Sequence, residues 1–159
     1  MQIAIAPLLH FFAEVVVPLV AAACLGGVVG WERESGDKPA GLRTHMMVSL
    51  GAAVFTMAAL RIISEHRTDA GDPSRIVMGV ATGIGFLGAG SIIRMSGEVH
   101  GITTAAGIWV VGAVGACCGA GYYSIAAVAV VLSVLILALL YKLEPHISGS
   151  HHDKRRRHL

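Results

Sequence analysis

The sequence predicts an all-α polytopic membrane protein, a compact bundle of five transmembrane helices. Three observations carry that prediction. Ile76 to Ile93 are 18 consecutive positions without a charge. Gly101 to Tyr141 are 41 more. The chain as a whole has 159 residues, 55% of them hydrophobic and 14% charged, where soluble domains carry about 25% charged residues. An apolar run of about 18 residues or more is long enough to span the hydrocarbon core. One helix built from the 41-residue run would be about 60 Å long, roughly twice that core. The run must therefore fold back once. The expected place is CCGAGYY, where Gly119 and Gly121 permit a turn and Tyr122 and Tyr123 suit an interface.

The first span is expected from about Leu8 to Trp31, with Pro18 kinking it or marking its outer part. No Lys or Arg precedes Arg33, so this run reads as a retained span and not as a cleaved signal. Glu14 lies near its outer end, either a solvated interfacial carboxylate or a functional group at membrane depth. The loop WERESGDKPAGLRTH follows, and the second helix should begin near Ala40 and end between Arg61 and Ser64. Its fully apolar part, 46–60, is only 15 residues, so Arg43 and Arg61 should reach for opposite interfaces. Asp72 followed by Pro73 reads as an N-cap and first helical position for the third helix. A short polar turn, MSGEVHG, leads to a fourth helix that Thr103 and Thr104 could cap. The fifth, about Tyr122 to Tyr141, is an ordinary lipid-facing sequence closed by Lys142.

Twelve of the 20 glycines fall between Gly79 and Gly121. Glycine costs a helix about 1 kcal/mol against alanine in water, but small residues let helices approach closely in lipid. Gly26/Gly30, Gly79/Gly83, Gly112/Ala116 and Gly115/Gly119 are each four residues apart and share a helix face. Segments 76–94 and 102–119 are therefore expected to form a tightly packed central pair, with Gly79, Gly83, Gly112, Gly115 and Gly119 as packing positions and not as a pore lining. A homodimer through the remaining small faces is a further expectation.

Basic residues set the orientation. With five spans, Arg33, Lys38, Arg43, Arg94, Lys142, Lys154, Arg155, Arg156 and Arg157 share one side, and Arg61, Arg67 and Arg75 the other. That asymmetry puts the N-terminus outside and the C-terminus in the cytoplasm. Residues 1–142 form one transmembrane domain, and 143–159 a basic cytoplasmic tail that is either solvated or in contact with anionic lipid.

The same topology gathers Glu32, Arg33, Glu34, Arg43, His45, Arg94, Thr103 and Thr104 on the cytoplasmic rim. The arrangement reads first as internal ion pairing, with Arg43 and Arg94 beside Glu32 or Glu34, and second as a ligand or partner site. The N-terminus of the fourth helix would favour an anion there. No Asp or Glu lies within spans two to five, so an Mg²⁺ path, which needs oxygen ligands, would have to use backbone carbonyls. Cys24, Cys117 and Cys118 lie in apolar segments and read as packing residues. No nucleotide loop, paired catalytic carboxylates or nucleophile beside a base is evident, so neither an enzyme nor a cofactor is expected, nor a nucleic-acid partner.

GWERE, KPAGLRTHM, DPSRI, GIGFLGAGSIIR and GITTAAGIWV, in this order and spacing, resemble the MgtC/SapB family of bacterial inner-membrane proteins over roughly Ala21 to Leu140. The resemblance implies a five-span bundle and a role in growth when magnesium is scarce, linked in pathogens to virulence. It also implies action through other inner-membrane proteins, the proton-translocating ATP synthase among them. The family's magnesium-transport label keeps a cation transporter or channel as the alternative. Many members carry a further soluble C-terminal domain, whose functions are not expected of this chain.

Overall fold

The computed structural model describes residues 7, 9–66, 72–95 and 98–152. A π-helical turn, Phe12–Val16, leads into helix α1, Val17–Ser35. Helix α2 spans Leu42–His66, α3 Pro73–Gly90, α4 Ile102–Gly119 and α5 Tyr123–His152. Between α3 and α4 the chain forms a two-stranded antiparallel ribbon, β1 Ile93–Met95 with β2 Glu98–His100. Segments Leu9–Ser35, Leu42–Glu65 and Ile102–Gly119 are long and apolar enough to cross a membrane, and Tyr123–Leu139 is a shorter apolar stretch. The chain is thus an all-α polytopic membrane protein, with one small ribbon that replaces the expected polar turn. Residues 67–71 and 96–97 and the basic run at 154–157 lie outside the described residues.

Local chemistry explains the element ends. Pro18 has no N–H to give back along the helix. The turn before it widens, so that the Val17 N–H donates to the Phe12 carbonyl five residues back. Pro18 thus stands at the start of the regular helix, just after a π turn. Helix α1 closes with Asp37 in the left-handed region (φ 54°), while the Lys38 N–H donates to Arg33 O at 3.1 Å and the Asp37 N–H to Glu34 O at 3.0 Å. That is a Schellman closure, with a short polar side chain where glycine is commoner. Glu34 then reaches forward, and its Oε2 accepts from the Leu42 N–H at 2.7 Å, fixing the start of α2. Asp72 caps α3 as expected: its carboxylate accepts from the Ser74 N–H at 2.8 Å and the Ser74 hydroxyl at 2.7 Å. Thr103 and Thr104 do not cap α4. Gly101 stands at that position (φ 89°), and both threonines lie inside the helix. The fold-back falls at CCGAGYY, where Gly121 (φ 82°) follows α4 and the Tyr122 N–H donates to Cys117 O at 2.8 Å.

Helix α4 is the hub of the bundle, in contact with α1, α2, α3 and α5. Ala22, Val29, Ala53, Val111, Val114, Cys118, Ala126 and Val130 form the larger core cluster. A smaller one joins Ala40, Ala52, Ile84 and Ile108. The glycines of α4 make its contacts close. A Cβ built on Gly119 would lie 2.5 Å from Ala53 O, one on Gly115 would overlap the Ser49 carbonyl, and one on Gly112 would overlap Ile84. The close glycine contact of α4 is therefore with the α2 backbone. Helix α3 packs on α4 through Ile84 and Gly88. Gly79 and Gly83, expected at the central pair, have no atom within 4 Å of a Cβ position. The correction has a simple cause: a glycine pattern marks a face that can be approached, and in α3 the approached face is the one carrying Ile84 and Gly88.

Candidate functional site

The polar residues that the fold brings together lie where α1, α2 and α4 meet. Gly26 and Gly30 of α1 present bare backbone to α2. A Cβ on Gly30 would lie 2.9 Å from the Cβ of His45, and one on Gly26 would lie 2.6 Å from the Cβ of Ser49. His45 and Ser49 are one helical turn apart and share a face. Both are fully buried. Gly107 of α4 closes the third side, 3.4 Å from a Cβ position to His45 Nε2. Arg33, at the end of α1, is also buried at 5% exposure, and its Nη1 lies 3.6 Å from Glu32 Oε2. Thr104 is buried at the start of α4.

The hydrogen bonds fix part of the chemistry. His45 Nδ1 is 2.9 Å from Gly41 O. A carbonyl only accepts, so Nδ1 carries the proton and Nε2 of the neutral ring is an acceptor. Four buried side-chain atoms have no hydrogen-bond partner within the protein: Glu32 Oε2, Arg33 Nε, His45 Nε2 and Ser49 Oγ. Two of these are acceptors, Arg33 Nε is a donor, and the Ser49 hydroxyl is both. Leaving such a group unpaired costs about 1–3 kcal/mol. The cluster is thus a set of buried polar groups with unused hydrogen-bonding capacity inside a glycine-closed contact. Among the described residues no group of three His, Cys, Asp or Glu side chains is placed to hold a metal ion.

The expected rim divides into three parts. Glu32, Arg33, His45 and Thr104 gather near or within the α1–α2–α4 contact. Glu34 serves the start of α2. Arg43, Arg94 and Thr103 are exposed, and neither arginine makes an ion pair among the described residues. Arg94 lies on β1 opposite Val99, beyond the end of α3. The arginine beside Glu32 is therefore its own neighbour Arg33, and not Arg43 or Arg94. Ser49 is not among the residues expected from the sequence. Its signal is the line His45, Ser49, Ala52, Ala53, Thr56 on α2, small and polar at helical spacing and all buried. Glu14 pairs with His10 at 3.0 Å on an exposed stretch, and Arg61 with Glu65 at 2.7 Å.

The family model for MgtC matches residues 19–146, which reaches all five helices. The chain belongs to the MgtC family. It is 42% identical to Protein MgtC of Brucella abortus over 122 residues, covering 77% of this chain and 49% of that protein. It is 40% identical to Protein MgtC of Salmonella typhimurium over 124 residues, 77% of this chain and 51% of the other. It is 38% identical to YhiD of Escherichia coli, provisionally named a magnesium transporter, over 135 residues, 82% and 62%. The chain thus spans about half to three fifths of the length of these MgtC-family relatives. No solved structure matches.

Proposed function

We propose that this chain is a non-enzymatic inner-membrane protein of the MgtC type, serving adaptation to low magnesium by contacting other membrane proteins. The family resemblance points to the proton-translocating ATP synthase as a partner. The observation that carries this reading is the outward face of α3. Met78, Thr82, Gly85, Phe86 and Ala89 follow helical spacing and are all exposed, with Phe86 at 81% and Met78 at 67%. A helix with apolar side chains beside bare glycine on one open face is built for close contact in the bilayer. The excess of basic residues on one set of loops supports an outside N-terminus and a cytoplasmic C-terminus.

The competing reading is magnesium or other cation transport, and the name of YhiD favours it. Transport needs a hydrated or oxygen-lined path through the bilayer centre. The glycine-on-backbone contacts of Gly115 and Gly119 with α2 speak for a closed interior instead. The test is growth at low magnesium of cells that depend on this protein. Gly85→Leu and Phe86→Ala should leave its membrane level unchanged and impair growth. Full growth support by a double variant of this face would overturn the contact reading.

A further inference from the structure

A second feature of α3 points to a different ligand. Between α2 and α3 runs a groove of about 600 Å³. Met47, Gly51 and Phe55 wall it from α2, and Gly79, Gly83 and Leu87 from α3. No atom lies within 4 Å of a Cβ position on Gly51, Gly79 or Gly83, so the glycines give the groove its depth. Arg75, at the start of α3, is the charged residue among its described lining.

We propose that this groove binds a phospholipid of the leaflet on the α2–α3 connection side, one acyl chain lying along α3 and the phosphate on Arg75. Length supports it. Arg75 to Leu87 is twelve residues of helix, about 18 Å, against about 15 Å for half of the ~30 Å hydrocarbon core. The groove therefore runs from an interface to about the bilayer midplane, the reach of one acyl chain. Charge supports it as well. Arg75 is exposed and makes no ion pair among the described residues. The nearby carboxylate, Asp72, accepts from the Ser74 N–H and hydroxyl, one bond to each oxygen. A guanidinium forks onto two phosphate oxygens at once. The rest of the wall, apolar and glycine, offers no hydrogen-bonding side chain that a polar ligand would need. A protein helix in the same groove would have to bring a carboxylate to the depth of Arg75, whereas every phospholipid carries its phosphate at that depth. The groove glycines Gly79 and Gly83 lie on a different face of α3 from Gly85, and the site does not depend on the partner reading.

The test uses the full chain, purified and stripped of lipid in detergent. It is titrated separately with phosphatidylglycerol, with diacylglycerol of the same chains, and with inorganic phosphate. Native mass spectrometry counts bound molecules. The expected result is one phosphatidylglycerol per chain, held about tenfold or more tighter than diacylglycerol, as for a hydrogen bond between charged groups. Arg75→Gln should abolish that difference. Gly83→Phe should fill the groove and remove binding of both lipids, while Gly85→Phe, on the other face, should change neither. Inorganic phosphate alone should not protect the protein against heat. The site is overturned by wild-type binding in Gly83→Phe, or by equal binding of phosphatidylglycerol and diacylglycerol to the unaltered chain. Full protection by free phosphate, or a second copy held in place of the lipid, would overturn it too. Arg75→Gln changes only an exposed side chain, so it decides the headgroup contact even if Gly83→Phe fails to fold.

Discussion

The Cβ of His45 faces bare backbone at Gly30, where an added methyl would stand 2.9 Å away. Helices α1 and α2 are held at that distance by two glycines, and α4 approaches α2 from the other side by the same means. Gly30→Ala and Gly115→Ala should therefore each lower stability by about 1–3 kcal/mol, the usual penalty for overpacking. Gly83→Ala, which meets nothing, should leave it within about 0.5 kcal/mol. Thermal unfolding in detergent checks this, and equal sensitivity at all three positions would contradict the packing described.

His45 and Ser49 share one buried face but differ in what they hold. His45 fills space and donates to Gly41 O, so His45→Ala should cost about 2 kcal/mol or more. Ser49 Oγ is buried with no protein partner, so Ser49→Ala should not lower stability and should raise it by about 1–3 kcal/mol, the cost of the unpaired hydroxyl. A large loss at Ser49 would contradict the reading of its hydroxyl as unpaired.

Much of this fold is legible in the sequence because lipid makes hydrophobic length decisive. The charge-free runs, the Asp72–Pro73 start and the turn at Gly121 all follow from requirements local to one segment. The rim was less legible. Arg33 and Arg43 are alike in residue type and close to the membrane edge, yet one is buried and the other exposed. What separates them is the rotation of α1 and α2 about their axes, which Gly26 and Gly30 set through contacts distant in sequence. Gly79 and Gly83 show the same limit: spacing reveals a smooth helix face, but not whether a neighbour in the same chain occupies it.

The start of α3 should respond to acid. The Ser74 hydroxyl and N–H hold the Asp72 carboxyl below the usual carboxylate range. A group with a depressed folded pKa contributes stability that is present above its unfolded value, about 3.9, and lost as pH falls through the folded value. The protection factor at the first turn of α3, its exchange rate referred to the intrinsic rate at the same pH, should fall below about pH 4, and Asp72→Asn should flatten that dependence. A protection factor that is the same at pH 3 and pH 6 would contradict the cap.

Orientation is open to reporter fusions. The excess of basic residues on one side predicts cytoplasmic signals after Gly36 and after Gly149, and an external signal after Gly71. A cytoplasmic signal at Gly71 would break the alternation of five spans.

On the proposed function, the protein acts through contact in the bilayer and does not conduct magnesium. Its most direct test is Mg²⁺ entry into proteoliposomes of the purified chain, followed with an internal indicator dye. No entry above protein-free vesicles is expected at any gradient, from a protein that restores low-magnesium growth when expressed. Saturable, protein-dependent entry would contradict it.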